Sequence, residues 1–316
     1  MILDTDKTWS RGLNAANEVH LPTDAACRLT AEDFADIHHE PKFKLKKDST
    51  IFTFGSCFAR NIEDIFEMKG YDVQTTKLQL PRELYKGQKP SSVLTKFNTQ
   101  SMLTELQISF GERGLDEDGL IEIKEGRFWN PQLHRVGLVE RDQALFVKEK
   151  VHENVRMIEV ANLVIVTLGL TEYWYDKVLG VPLNDTPIDW RFAVKSNRFE
   201  HRNADFRTNL EIVRELCSNI LDKTNGDGRI ILTVSPVPLQ RTFSNQDVIV
   251  ANSYSKSVLR AVAQEVANAN EKVDYYPSFE MVTYSNRSRA WRHDQRHVQF
   301  ELIQKIIQRF EDIYFE

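Results

Sequence analysis

The run Leu163-Val164-Ile165-Val166-Thr167-Leu168 constrains this chain more than any other feature. It is apolar or β-branched throughout and offers no polar face to solvent, so a strand built from it is covered on both sides, as in parallel sheets. A second run, Ile51-Phe52-Thr53-Phe54, stops at Gly55. Helical spacing follows over 58–69, with Phe58, Ile62, Ile65 and Phe66 on one face and Gly70 closing the helix. The segments 71–75, 229–234 and 273–276 read as further strands, and helical spacing returns over 101–110, 148–161, 206–223, 252–270 and 298–314. Strands alternating with helices describe an α/β fold with a five-stranded parallel sheet covered on both sides. The expected organisation is an N-terminal arm over 1–45 and a single domain over 46–316. Two less regular stretches, 81–146 and 173–205, read as insertions, the first with a hairpin turning at Glu125-Gly126. A further turn is expected at Asn225-Gly226-Asp227-Gly228.

Composition narrows the function classes. The chain has 41 Lys and Arg against 46 Asp and Glu, a net charge of −5 without a basic run, which argues against a dedicated nucleic-acid or anionic-membrane surface. No stretch approaches the roughly 18–20 apolar residues of a membrane span. The first residues show neither a basic nor an apolar leader segment, so a cytoplasmic protein is expected. Cys27, Cys57 and Cys217 cannot all pair with one another and lack short metal-ligand spacing, so neither a disulfide nor a metal site is expected.

In open parallel sheets, ligands gather at the carboxyl ends of the strands. Those ends carry Gly55-Ser56-Cys57, Gly169-Leu170-Thr171-Glu172 and Ser235-Pro236-Val237-Pro238, and His293-Asp294-Gln295-Arg296-His297 follows the last strand. Cys57 falls where a strand turns into a helix, whose unpaired N–H groups favour a thiolate. His293 or His297 is the candidate base, and Asp294 lies one helical turn from His297, close enough to orient it. The other polar groups have plainer readings. Glu172 suits an Arg partner or a helix cap, His134 and His201 read as surface or loop histidines, and Asp116-Glu117-Asp118 as a solvated turn. Tyr173, Trp174, Trp190 and Trp291 suit either an aromatic platform for a sugar or packing under loops.

Several of these segments carry a family resemblance. Phe54-Gly55-Ser56-Cys57-Phe58-Ala59, Thr167-Leu168-Gly169-Leu170-Thr171-Glu172, the run 232–239, Tyr254-Ser255-Lys256-Ser257 and Tyr275-Tyr276-Pro277-Ser278 resemble the GSCFA-domain family, in order, from about Lys42 onward. That family is in turn similar to the SGNH/GDSL hydrolases, a flavodoxin-like, three-layer class of esterases and acyltransferases. The resemblance implies Cys57 as nucleophile in place of the usual Ser, with Ser56 where Asp is usual, and Asp294 and His297 as the Asp-x-x-His block. The family's oxyanion-binding Asn is replaced in Gly169-Leu170-Thr171-Glu172, so the second donor, beside the Cys57 N–H, is sought among the Gly169 N–H, the Thr171 hydroxyl and the Asn98 amide. A Cys nucleophile suits acyl transfer from a thioester such as acyl-CoA onto a sugar hydroxyl, as well as hydrolysis, and no cofactor is required. The altered blocks leave a second reading open, a catalytically silent binding or assembly protein on the same sheet.

Overall fold

The computed structural model describes residues 25–30, 33–224 and 227–316. The expected arm at 1–24 and 31–32 and the first half of the turn at 225–228 lie outside the described residues. The elements, in chain order, are α1 Ala25–Thr30, β1 Ile51–Gly55, α2 Cys57–Met68, α3 Thr99–Ser109, β2 Ile121–Lys124, β3 Arg127–Trp129, α4 Arg141–Arg156 and β4 Leu163–Leu168. They continue with β5 Glu172–Asp176, β6 Val181–Pro182, α5 Trp190–Ser196, β7 Phe199–Asn203, α6 Phe206–Lys223 and β8 Arg229–Val234. The last are α7 Val248–Ala269, β9 Val273–Tyr275, α8 Ser278–Thr283, α9 Arg287–Ala290 and α10 Phe300–Tyr314.

The fully buried runs read from the sequence form the centre: β1, β4, β8 and β9 make a parallel sheet in that order. The sheet has four strands, not five. The expected strand over 71–75 is reduced to one parallel bridge between Val73 and Ile51 and a hydrogen bond from the Ile51 N–H to the Asp72 carbonyl. Past Val73 the chain turns into a short 3₁₀ helix, Gln74–Lys77. The turn carries Thr75 inward, where its hydroxyl donates to the buried Glu63 carboxylate at 2.7 Å, a satisfied polar anchor that a continued strand would forfeit.

Alternate strand residues feed two cores. Phe52, Phe54, Val164, Val166, Leu168, Leu232 and Val234 pack with α3, α4, α6 and α7 on one face. Ile51, Leu163, Ile165 and Ile231 pack with α2 and α10 on the other. Trp291, a candidate for the aromatic platform, belongs to this second core. The segment around 173–205 is itself ordered: β5 pairs antiparallel with β6 and β7, and with β2 and β3 it surrounds a third, smaller core of Ile121, Trp129, Val181, Leu183 and Phe199. Among the described residues no helix is long and apolar enough to cross a membrane.

Gly55 is where two strands come closest to colliding. Its φ of +134° is a conformation L side chains rarely adopt, and a Cβ there would lie 2.2 Å from the Thr167 carbonyl oxygen. The absent side chain lets β1 and β4 run side by side to their ends, which places the next residues, Ser56 and Cys57, over the sheet's carboxyl rim.

Candidate functional site

A cavity of about 500 Å³ opens at that rim. Cys57 lines it from the first turn of α2, and Ser56 is the N-cap of the same helix, its hydroxyl accepting the Phe58 N–H at 3.3 Å. The residues 95–98 lie across the ends of β1 and β4. The Lys96 N–H donates to the Gly55 carbonyl and the Leu170 N–H to the Phe97 carbonyl, both at 2.8 Å. Asn184, from the loop after β6, ties this strip down. Its Oδ1 accepts the Phe97 N–H (2.9 Å) and the Ser101 hydroxyl (3.1 Å), and its Nδ2 donates to the Thr95 carbonyl (2.8 Å).

Gly169 just past the end of β4, Glu172 at the start of β5, Ser235 just past the end of β8 and His297 from the loop before α10 line the same cavity. Rim segments distant in sequence therefore meet in one place. His297 Nδ1 lies 2.5 Å from Asp294 Oδ2, and Asp294 Oδ1 accepts the backbone N–H groups of Arg296 and His297, each at 3.0 Å. These bonds, the His297 side chain's first, hold the Asp294 carboxyl below the usual carboxylate range and leave the His297 Nε2 available. His293 is exposed and is not among the lining residues.

The candidate oxyanion donors separate. Asn98 lines the cavity, but its Oδ1 caps α3 through the Ser101 N–H (2.7 Å) and its Nδ2 donates to the Leu183 carbonyl (3.0 Å). Thr171 is buried and is not among the lining residues, and its hydroxyl has no partner among the described residues. Gly169 remains at the wall, pressed so close to the 95–98 strip that a Cβ would lie 2.3 Å from the Phe97 carbonyl oxygen.

Cys57 departs from the sequence expectation. Burial pushes its thiol up, and the charges of Arg135, Arg296 and Arg60, with its own backbone N–H, pull down without prevailing. The helix terminus alone does not make a thiolate here. His134 and His201 depart as well, because both line the cavity and neither is a plain surface group. His134 Nδ1 lies 3.0 Å from Asp185 Oδ2, and His201 Nε2 lies 3.1 Å from Glu172 Oε2. Burial raises both carboxyls, but the hydrogen bonds outweigh it and hold them low: His134 and the Thr186 N–H at Asp185, and His201, the Thr242 hydroxyl and the Phe243 N–H at Glu172. Glu172 thus serves a histidine and a loop, neither an Arg nor a helix cap. The far wall is aromatic: Trp174 meets Trp190, His201 and Phe243 edge-on at 5.1–5.5 Å between ring centroids. Arg135, Asn184, Asp185, Arg241, Phe243 and Arg296 gave no sequence signal, since loops carry them to the cavity and no spacing relates them to Cys57.

Behind the wall, Lys256 of α7 is buried, and its Nζ donates to the Gly169 carbonyl at 2.7 Å. No carboxylate pairs with it among the described residues, and burial pushes its pKa down to about 7, from an ordinary 10.5. A folded-state pKa below the unfolded one means that the unfolded chain holds the extra proton between those two values. Stability is then expected to rise with pH across that window, by up to about 1.4 kcal/mol per unit. Urea midpoints of the wild type and Lys256→Met between pH 7 and 9.5 check this: the wild type gains on the variant as pH rises, and parallel curves would refute it.

Fold and site together define an α/β protein whose polar and nucleophilic groups converge at the carboxyl ends of a parallel sheet. The chain belongs to the GSCFA family, which matches residues 50–310. No curated protein matches it in sequence. Among solved structures it is similar to a protein assigned as a GDSL-like lipase from Parabacteroides merdae, at 12% identity and TM-score 0.36, over 86% of this chain and 100% of that one. A GDSL-like lipase from Bacteroides thetaiotaomicron gives 11% identity and TM-score 0.37, over 87% and 92%. Scores this low carry neither topology nor chemistry across.

Proposed function

We propose that this protein is an acyl-group hydrolase or acyltransferase that works through a thioester on Cys57. The supporting observation is that one cavity holds Cys57 at the first turn of a helix and His297 already oriented by Asp294. In the proposed cycle His297 Nε2 takes the thiol proton as Sγ attacks the acyl carbonyl. The proton then passes to the departing thiol or alcohol, leaving the acyl group on Cys57. In the second half, His297 removes a proton from water or an acceptor hydroxyl, which attacks the thioester and frees the thiol. The Cys57 N–H and the Gly169 N–H are the proposed oxyanion donors.

A thioester such as acyl-CoA is the proposed donor, because its leaving group is itself a thiol. The aromatic wall of Trp174 and Phe243, packed against Trp190, suits a sugar or similar hydroxylated acceptor, whose apolar ring face stacks on such side chains. A silent binding or assembly role has one observation in its favour: burial raises the Cys57 thiol.

Incubation with acetyl-CoA and other thioester or p-nitrophenyl acyl donors separates the two readings. Mass spectrometry is expected to find the acyl mass on the peptide carrying Cys57, with slow turnover in water and faster release on adding a hydroxylated acceptor. Cys57→Ala abolishes the adduct. An unmodified Cys57 with every donor would leave the binding reading in its place.

A further inference from the structure

Two carboxylates line the cavity, Asp185 facing His134 and Glu172 facing His201, and the third lining histidine, His297, is held by Asp294 from behind the lining. Three arginines line the same cavity, and none has a carboxylate within ion-pair distance among the described residues: Arg135, Arg241 and Arg296. Arg135 has one side-chain hydrogen bond, from Nη1 to the Lys86 carbonyl at 3.3 Å. Arg296 has a buried Nε with no hydrogen-bond partner among the described residues. Arg60, also close to Cys57, is different, because its guanidinium is neutralised by Glu63 at 2.8 Å and bonded to the Ser91 and Thr53 carbonyls.

The backbone is bent to put these arginines there. Arg135 has φ +58° and Gln295, immediately before Arg296, φ +54°, a left-handed conformation that costs on the order of 1 kcal/mol or more outside glycine. Two strained turns that each deliver an unpaired guanidinium to one cavity are hard to account for by packing alone. The side-chain charges that act most strongly on Cys57 are those of Arg135, Arg296 and Arg60, all cationic.

We propose that Arg135 and Arg296, with Arg241 at the rim, form a seat for an anionic group beside Cys57, so that the substrate carries a phosphate or carboxylate close to its reacting acyl centre. A guanidinium fork matches either anion with paired hydrogen bonds, which a lysine does not. The substrate assignment rests on the acyl-transfer reading; the seat itself does not.

Alkylation of Cys57 in the full chain tests the seat without any acyl donor. Iodoacetate and iodoacetamide react at the same atom and differ in charge, and their rate ratio cancels changes in thiol ionisation. At low ionic strength the ratio at Cys57 is expected to exceed that of free cysteine about tenfold or more, and to fall as salt is added. Arg135→Gln and Arg296→Gln each lower the ratio several-fold, while Arg296→Lys, which keeps the charge and loses the fork, retains only part of it and Arg141→Gln, at a remote surface pair, leaves it unchanged. Should Arg135→Gln fail to fold, the Arg296 pair of variants and Arg241→Gln carry the test. Protection of Cys57 from iodoacetamide by inorganic phosphate at constant ionic strength assigns the seat to a phosphate-bearing carrier, and protection by acetate assigns it to a carboxylate. A ratio equal to that of free cysteine, or no protection by either anion, overturns the seat. An acyl adduct formed without the iodoacetate preference would remove the seat and keep the acyl chemistry. The preference without any adduct would do the reverse.

Discussion

Replacing His297 with glutamine is expected to slow acylation of Cys57 about a hundredfold or more at neutral pH, the usual contribution of a positioned general base. The need for a base follows from the thiol itself, since burial raises it and the surrounding arginines do not bring it back down. The cavity offers three histidines, each with a carboxylate partner. His297 occupies its Nδ1 with Asp294 and keeps Nε2 for the substrate side, while His201 turns Nε2 toward Glu172 at 3.1 Å. His134 keeps Nε2 as well, its Nδ1 facing Asp185 and its ring edge-on to Phe97, and is the rival base; with His297 as the base, His134→Gln and His201→Gln are expected to change the acylation rate less than about tenfold. Raising the pH ionises the thiol without help, so the His297→Gln defect shrinks toward pH 9.5. Stopped-flow acylation of the four proteins checks this, and a defect that follows His134 instead would transfer the base to the His134–Asp185 pair.

Lys96→Met is expected to cost about 3 kcal/mol or more of stability, because it strands a carboxylate in the core. Lys96 and Glu105 are both fully buried and lie 2.6 Å apart, and Lys96 also donates to the Gln132 carbonyl at 2.6 Å. Burial would raise Glu105, but Lys96 and His152 hold it at about 2. In the wild type, a folded pKa below the unfolded one adds stability that is present above the ordinary carboxylate range and lost as pH falls toward 2. Without Lys96 the sign reverses: Glu105 then prefers its neutral form when folded, and the variant loses stability as pH rises through the carboxylate range. Denaturant titrations at pH 5 and pH 8 should show the larger deficit at pH 8, and Lys96→Met/Glu105→Leu should recover much of it. An unchanged midpoint in Lys96→Met would show that the ion pair contributes nothing to the fold.

Strands that need no polar face were legible: β4 spans the six residues expected, β8 ends where its apolar run ends, and α6 covers 206–223 as its spacing predicts. The segment 71–75 was misread because strand propensity there loses to a side-chain demand, the hydroxyl of Thr75 reaching Glu63. Cys57 and Gly169 could be placed on the rim because strand ends mark where a site can be, and His297 was picked out by its spacing from Asp294. What loops bring was not visible. His134 reaches Asp185 and Asn184 reaches Phe97 across 51 and 87 residues, and no local pattern encodes such a pairing. Burial of the Cys57 thiol was missed for the same reason, since the helix terminus is a local property and the desolvation comes from residues far along the chain.

The strip at 95–98 also bears on how the protein is made. Its bonds run to Gly55, Leu170 and Asn184, and the cavity is completed by Arg296 and His297, far along the chain from Cys57. Closing contacts so far apart loses chain entropy before any return, so this part of the molecule is among the last to assemble, after the helices have formed locally. A ribosome-bound chain accordingly carries Cys57 as an ordinary accessible thiol until the segment with Arg296 and His297 has been made. The moment at which that thiol becomes slow toward a neutral alkylating agent marks the completion of the native state, so the residue proposed to do the chemistry is also an internal clock for folding.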